Sequence, residues 1–139
     1  MHLGVPPEVA FDYLADPHHR PAWQSSLARV EAVDGPARVG QRWVDVTSLG
    51  LRPAMETTEL DRPHRWSERG TWRGVEAVLT LEFAPAPGGC EVACAVEVRG
   101  RGPLAPVAWV LTWLAPYAVR SDLRRAGRIL EARSAPGAG

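Results

Sequence analysis

The stretch from Leu104 to Arg133, LAPVAWVLTWLAPYAVRSDLRRAGRILEAR, constrains this chain more than any other. Its first half is apolar on nearly every side, with Val107, Trp109, Val110, Leu111, Trp113, Leu114 and Tyr117. Its second half keeps one stripe, Val119, Leu123, Ala126 and Leu130, among many arginines. A helix apolar all round is covered on several sides, and one with a single stripe lies on a surface with its other face in water. The pattern predicts a helix gripped at its start and half exposed at its end. Pro116 removes a backbone donor and predicts a kink or break near Leu114 and Ala115. At ~1.5 Å per residue the element reaches ~45 Å, enough to cross a small sheet obliquely. The expectation is a curved antiparallel sheet wrapped about this helix, with a pocket between them.

The residues before it supply that sheet. Met1 to Val5 is at most the tail of a strand. VPPEVAFDYLADP starts a helix, with Pro6 and Pro7 fixing φ in its first turn and Asp16-Pro17 stopping it. HHRPAWQSSL reads as a short second helix or turn anchored by Trp23. From Leu27 the period changes to two, giving strands over Leu27 to Val33, Gly40 to Leu49, Leu51 to Leu60, His64 to Arg73, Val75 to Phe83 and Cys90 to Arg99, with APAPGG as a loop. In the second of these, Trp43, Asp45 and Thr47 share a face. In the fourth, His64, Trp66, Glu68, Gly70 and Trp72 share the inward face and the arginines take the wet one. Helices set to one side of an antiparallel meander define an α+β fold.

A chain of 139 residues fits one domain, placed here at residues 1–133, with SAPGAG as a disordered tail at 134–139. Formal charge is zero, and all 16 basic residues are arginine. No overall field argues for nucleic acid. Arg120, Arg124 and Arg128 recur at helical spacing but read as a solvated face. The apolar run ending at Val119 is shorter than the ~20 residues a bilayer requires and contains Pro106 and Pro116, so stable membrane insertion is not expected. Cys90 and Cys94 fall on one face of a strand, ~13 Å apart, and are expected as free thiols. No leader is read in MHLGVPPEV, which makes the cytoplasm the default location. His18 and His19 lack a third ligand at metal spacing, and no phosphate loop or dinucleotide fingerprint occurs, so neither metal nor cofactor is expected.

Three motifs carry a resemblance. VPPEVAFDYLADPHHRPAW resembles the opening signature of the START-like, or SRPBCC, superfamily in its polyketide cyclase/dehydrase branch. The likeness continues through the V-G-x-R-W strand at Val39 to Trp43 and the T-E-L-D-x-P-x-R corner at Thr58 to Arg65, ends with the Gly-Pro-led terminal helix, and so covers roughly residues 5 to 131. It implies a helix-grip: an antiparallel sheet of six to seven strands curled around the C-terminal helix, two short helices after strand 1, and a cavity for an apolar small molecule. Only four residues precede Val5, where such proteins carry a full first strand. Either a very short first strand or a dimer contact, making a homodimer, is expected there. Glu68 stands where the resemblance leads one to expect an apolar residue.

Glu68 is the sharpest lead to chemistry. An unpaired inward carboxylate costs several kcal/mol, so it must be paired, protonated or facing a wet cavity. It is either a general acid or base, with His64 or Tyr117 as helper, or a rim residue bonded to an arginine such as Arg42, or a residue whose strand register shifts through Gly70. His64 is equally readable as a plain corner residue. Of the six tryptophans, Trp43, Trp66, Trp72, Trp109 and Trp113 either line a pocket or fill the core. Trp43, Met55, Trp66, Trp72, Leu79, Leu81, Cys94, Trp113 and Tyr117 are the expected ligand contacts. The leading functional expectation is binding of a polyketide, lipid or isoprenoid-like molecule. The alternatives are a polyketide cyclase or dehydratase using Glu68 and His64, and a protein-interaction or cochaperone-like domain.

Overall fold

Seven strands form one antiparallel sheet in the order β1-β7-β6-β5-β4-β3-β2. They are β1 His2–Leu3, β2 Leu27–Glu31, β3 Arg42–Thr47, β4 Ala54–Asp61, β5 Arg65–Trp72, β6 Val75–Ala86 and β7 Gly89–Gly100. Three helices accompany them: α1 Pro7–Ala15, α2 Arg20–Trp23 and the terminal α3 Ala105–Ser134. This is the α+β helix-grip arrangement, observed in a computed structural model that describes residues 1–134, the side chains of 107–114 excepted. The expected tail lies outside the described residues apart from Ser134, which closes α3. Among the described residues no helix is long and apolar enough to cross a membrane.

Local sequence sets both ends of α1. Pro7 opens α1, and the Pro6 carbonyl accepts the Val9 and Ala10 amides at 3.1 Å. Asp16, held extended by the proline after it, ends α1 at ψ 115°. α3 runs unbroken through Pro116, so of the kink or break expected near Leu114 and Ala115 the break does not occur: one lost donor is absorbed within a 30-residue helix. Its second half behaves as its stripe requires, with Leu123, Ala126 and Leu130 buried and Arg120, Arg124 and Arg128 exposed. That stripe joins Leu3, Phe11, Leu14, Trp66, Leu81 and Phe83 in the main core, at the end of the sheet covered by α1.

Two departures from the expected strands have identifiable causes. APAPGG is not a loop; β6 runs to Ala86 and β7 resumes at Gly89, leaving a two-residue turn. Pro85 is tolerated because the Phe83 N–H points to the His64 carbonyl at 2.8 Å. Two residues on, Pro85 faces the same side, where β5 has already ended at the Arg65–Glu82 pair, so no ladder bond is lost. In β4 a bulge between Thr57 and Glu59 changes the parity of the inward set, from Met55 and Thr57 to Leu60, which pairs with Trp66.

The first strand is very short. His2 and Leu3 pair with Glu91 and Cys90, and Met1 O accepts the Val92 amide at 2.8 Å. Cys90 and Cys94 are free thiols.

Candidate functional site

The site starts from an arginine in a turn. After Asp16 halts α1, its side chain accepts the His18 amide at 3.0 Å and the chain turns through one 3-10 turn, Pro17–His19. The single turn of α2 then has Trp23 buried as its anchor, which sends Arg20 inward, only 2% exposed. Two strands present carboxylates to it: Asp45 on β3 is 4% exposed and Glu68 on β5 is 5% exposed.

Their geometry is that of a closed ionic cluster. Arg20 Nε and Nη2 donate to Asp45 Oδ1 and Oδ2 at 3.1 and 2.9 Å. Its Nη1 and Nη2 donate to Glu68 Oε2 and Oε1 at 2.5 and 3.2 Å. Trp43 Nε1 donates to Asp45 Oδ1 at 2.9 Å, and the guanidinium carbon lies 5.2 Å from the Trp43 ring centroid. One cation thus meets two carboxylates, and full ionisation would leave one negative charge in excess at a buried place. Burial pushes the Glu68 carboxyl up to about 7, against the pull of Arg20 and with the charge of Asp45 adding to the rise. Burial alone would lower Arg20, but the two carboxylates more than reverse it and its value rises. Protonation of Glu68 makes the cluster neutral, which is why the shift has this direction.

Asp45 and Glu68 form the polar end of a cavity of about 280 Å³ on the inner face of the sheet. The rest of its wall is mainly apolar, with Leu27, Met55, Trp72, Val78, Leu79 and Val96. Of the residues singled out from the sequence, Glu68, Met55, Trp72 and Leu79 therefore meet here. Trp43 lies behind the cluster and does not line the cavity. Trp66 and Leu81, a cross-strand pair, are sealed into the main core instead. Cys94 borders a separate hollow beside Leu123 and Arg124, and Tyr117 is 73% exposed. Trp109 and Trp113 carry side chains outside the described residues. His64 sits exposed at the corner before β5, four residues and ~13 Å of strand from Glu68, so the two do not form an acid–base pair. The arginine that Glu68 bonds is Arg20 rather than Arg42, whose partner is Glu56 on the wet face at 3.1 Å. Among the described residues no group of three or more His, Cys, Asp or Glu could hold a metal.

Arg20 and Asp45 were not anticipated. Asp45 alternates onto the face of Trp43, and two inward acids on β3 and β5, with only β4 between them, require a buried cation. HHRPAW supplies one beside a tryptophan anchor, which was the available signal.

Comparison with known proteins places the chain in context. The family model described as "Polyketide cyclase / dehydrase and lipid transport" matches residues 1–135. No match to the sequence is found among curated proteins. Among solved structures, TTHA0849 from Thermus thermophilus is similar with a TM-score of 0.74 and 20% identity, over 97% of this chain and 96% of that one. Ara h 8.0201 is similar with a TM-score of 0.75 and 14% identity, over 94% and 93%. NE0264 from Nitrosomonas europaea is similar with a TM-score of 0.70 and 14% identity, over 96% and 92%. At these identities the structures share the fold.

Proposed function

Because this chain belongs to the polyketide cyclase/dehydrase and lipid transport family, we propose that it binds a hydrophobic small molecule in the cavity on the inner face of its sheet. The observation that carries this reading is the contrast within one cavity: an apolar wall built from strands on either side of β5, and a single ionic cluster at its end. An apolar wall binds by area removed from water, and a few placed polar groups fix orientation. A volume of about 280 Å³ stands at the small end of ligand cavities, which run from ~300 Å³ upward, and suits a compact ring system.

A second reading, a cyclase or dehydratase, is favoured by one feature. Glu68 lines the cavity with a carboxyl pushed up to about 7, where it can hold or release a proton at neutral pH. If Glu68→Gln left turnover of a β-hydroxyketone substrate unchanged, that reading would fall.

Titration with a neutral naphthalene dye tests the binding function. The expected result is saturable binding at one site, lost in Ala77→Phe, which adds a ring inside the cavity without removing a core contact. Absence of saturable binding, or equal binding by a folded Ala77→Phe, would overturn the proposal.

A further inference from the structure

Within the ionic cluster at the end of the cavity, the carboxylates offer more acceptor positions than Arg20 and Trp43 fill. Asp45 Oδ1 takes two hydrogen bonds, from Arg20 Nε and Trp43 Nε1, but Asp45 Oδ2 and both Glu68 oxygens take one each. A carboxylate oxygen has room for two. Arg20 Nη2 is meanwhile shared among Asp45 Oδ2, Glu68 Oε1 and Gln24 Oε1 at 2.9, 3.2 and 3.3 Å. Thr47 Oγ1 already accepts the Leu51 amide at 2.9 Å. Among the described residues, no arginine or histidine lines the cavity itself. The charged groups that meet there are Arg20 from α2, Asp45 from β3 and Glu68 from β5.

Resting on the binding function argued above, we propose that the guest is oriented by a hydrogen-bond donor at its buried end, and that a protonated amine on an apolar ring is the end group this site takes best. An ammonium supplies the positive charge the cluster lacks and donates to the open positions on Asp45 Oδ2 and Glu68. A hydroxyl donates once and brings no charge, so the cluster stays neutral only by keeping the proton on Glu68. A carboxylate meets like charge with no free cation to receive it. The tendency of Glu68 to keep a proton near neutrality has the same origin, since a site that retains a proton also favours an ammonium. Ammonium binding therefore releases the Glu68 proton to solvent, and alcohol binding does not.

Calorimetric titration with naphthylmethylamine, naphthylmethanol and naphthoate at neutral pH tests this on the full chain. The amine should bind at least ~10-fold more tightly than naphthoate, with the alcohol between, and in Glu68→Gln the amine should weaken by about 10-fold while the alcohol changes little. Repeating the wild-type amine titration in buffers of different ionisation enthalpy reads the released proton, which keeps the test decisive if Glu68→Gln does not fold. Naphthoate binding as tightly as the amine, an amine preference that survives in folded Glu68→Gln, or amine binding without proton release would each overturn the proposal. Three probes binding alike would remove only the end-group assignment. Three probes failing to bind would remove the cavity reading with it.

Discussion

Glu68 keeps its proton because the alternative is an excess charge without water. The free energy at stake is large, since a rise from 4.5 to about 7 separates the two protonation states by roughly 3 kcal/mol. The consequence for folding has a definite sign. The Glu68 carboxyl stands at about 7 in the folded chain against 4.5 when unperturbed, so between these values the native state retains a proton that the unfolded chain has lost. Stability from this group falls as pH rises through that window. Asp12, Asp16, Glu31 and Glu91 are lowered, so their contributions are lost only as pH drops below the window. Urea denaturation at about pH 5 and about pH 7.5 should show the wild type less stable at the higher value, with the difference removed in Glu68→Gln. Equal slopes in the two proteins would contradict the assignment of the proton to Glu68. At this scale the sequence was half legible. Alternation from Trp66 put Glu68 inward, but Arg20 lies in a proline-flanked turn with no period to read, and its orientation follows from the burial of Trp23.

Elements are set by backbone encounters that side-chain patterns do not describe. The sharpest is where β1 crosses the start of β7: a Cβ on Gly89 would stand 1.9 Å from the Leu3 carbonyl oxygen. Backbone cannot yield as a flexible side chain can, so Gly89→Ala should strip β1 from β7 and destabilise the protein by roughly 1–3 kcal/mol. Hydrogen exchange is the check. The Val92 amide, bonded to Met1 O, should lose protection while the amides between β5 and β6 keep theirs. Retained protection at Val92 would show that β1 can shift without detaching. The strands themselves were legible because a period of two is local, whereas their ends were not. Whether Pro85 belongs to a loop or a strand depends on where β5 stops, which is a fact about a different part of the chain.

For the molecule as a whole, the helix stripe and the run of alternating strands determine the architecture, because each apolar face needs the other to cover it. A curved sheet wrapped about the terminal helix was therefore readable in advance, and the very short first strand is one of the two outcomes expected at the start of the chain. The cavity was readable only in outline. Its wall depends on close fits such as Gly70 against Met55, where an added Cβ would come within 2.8 Å of the sulfur, and on which tryptophans are captured elsewhere. Trp66 goes to the core because α1 and the Leu123 stripe cover its end of the sheet, while Trp72 remains at the cavity. The same inward alternation gives both residues, and only the helices decide between them.

The central claim is that an apolar guest occupies the inner face of the sheet against the Arg20 cluster. Amide chemical-shift mapping during titration with naphthylmethylamine addresses it most directly. Saturating shifts centred on Met55, Glu68, Gly70, Ala77 and Leu79, with the Arg20 side chain moving in step, are the predicted result. Shifts confined to the outer face or to the Arg120 and Arg124 surface, or no saturable shifts at all, would contradict it.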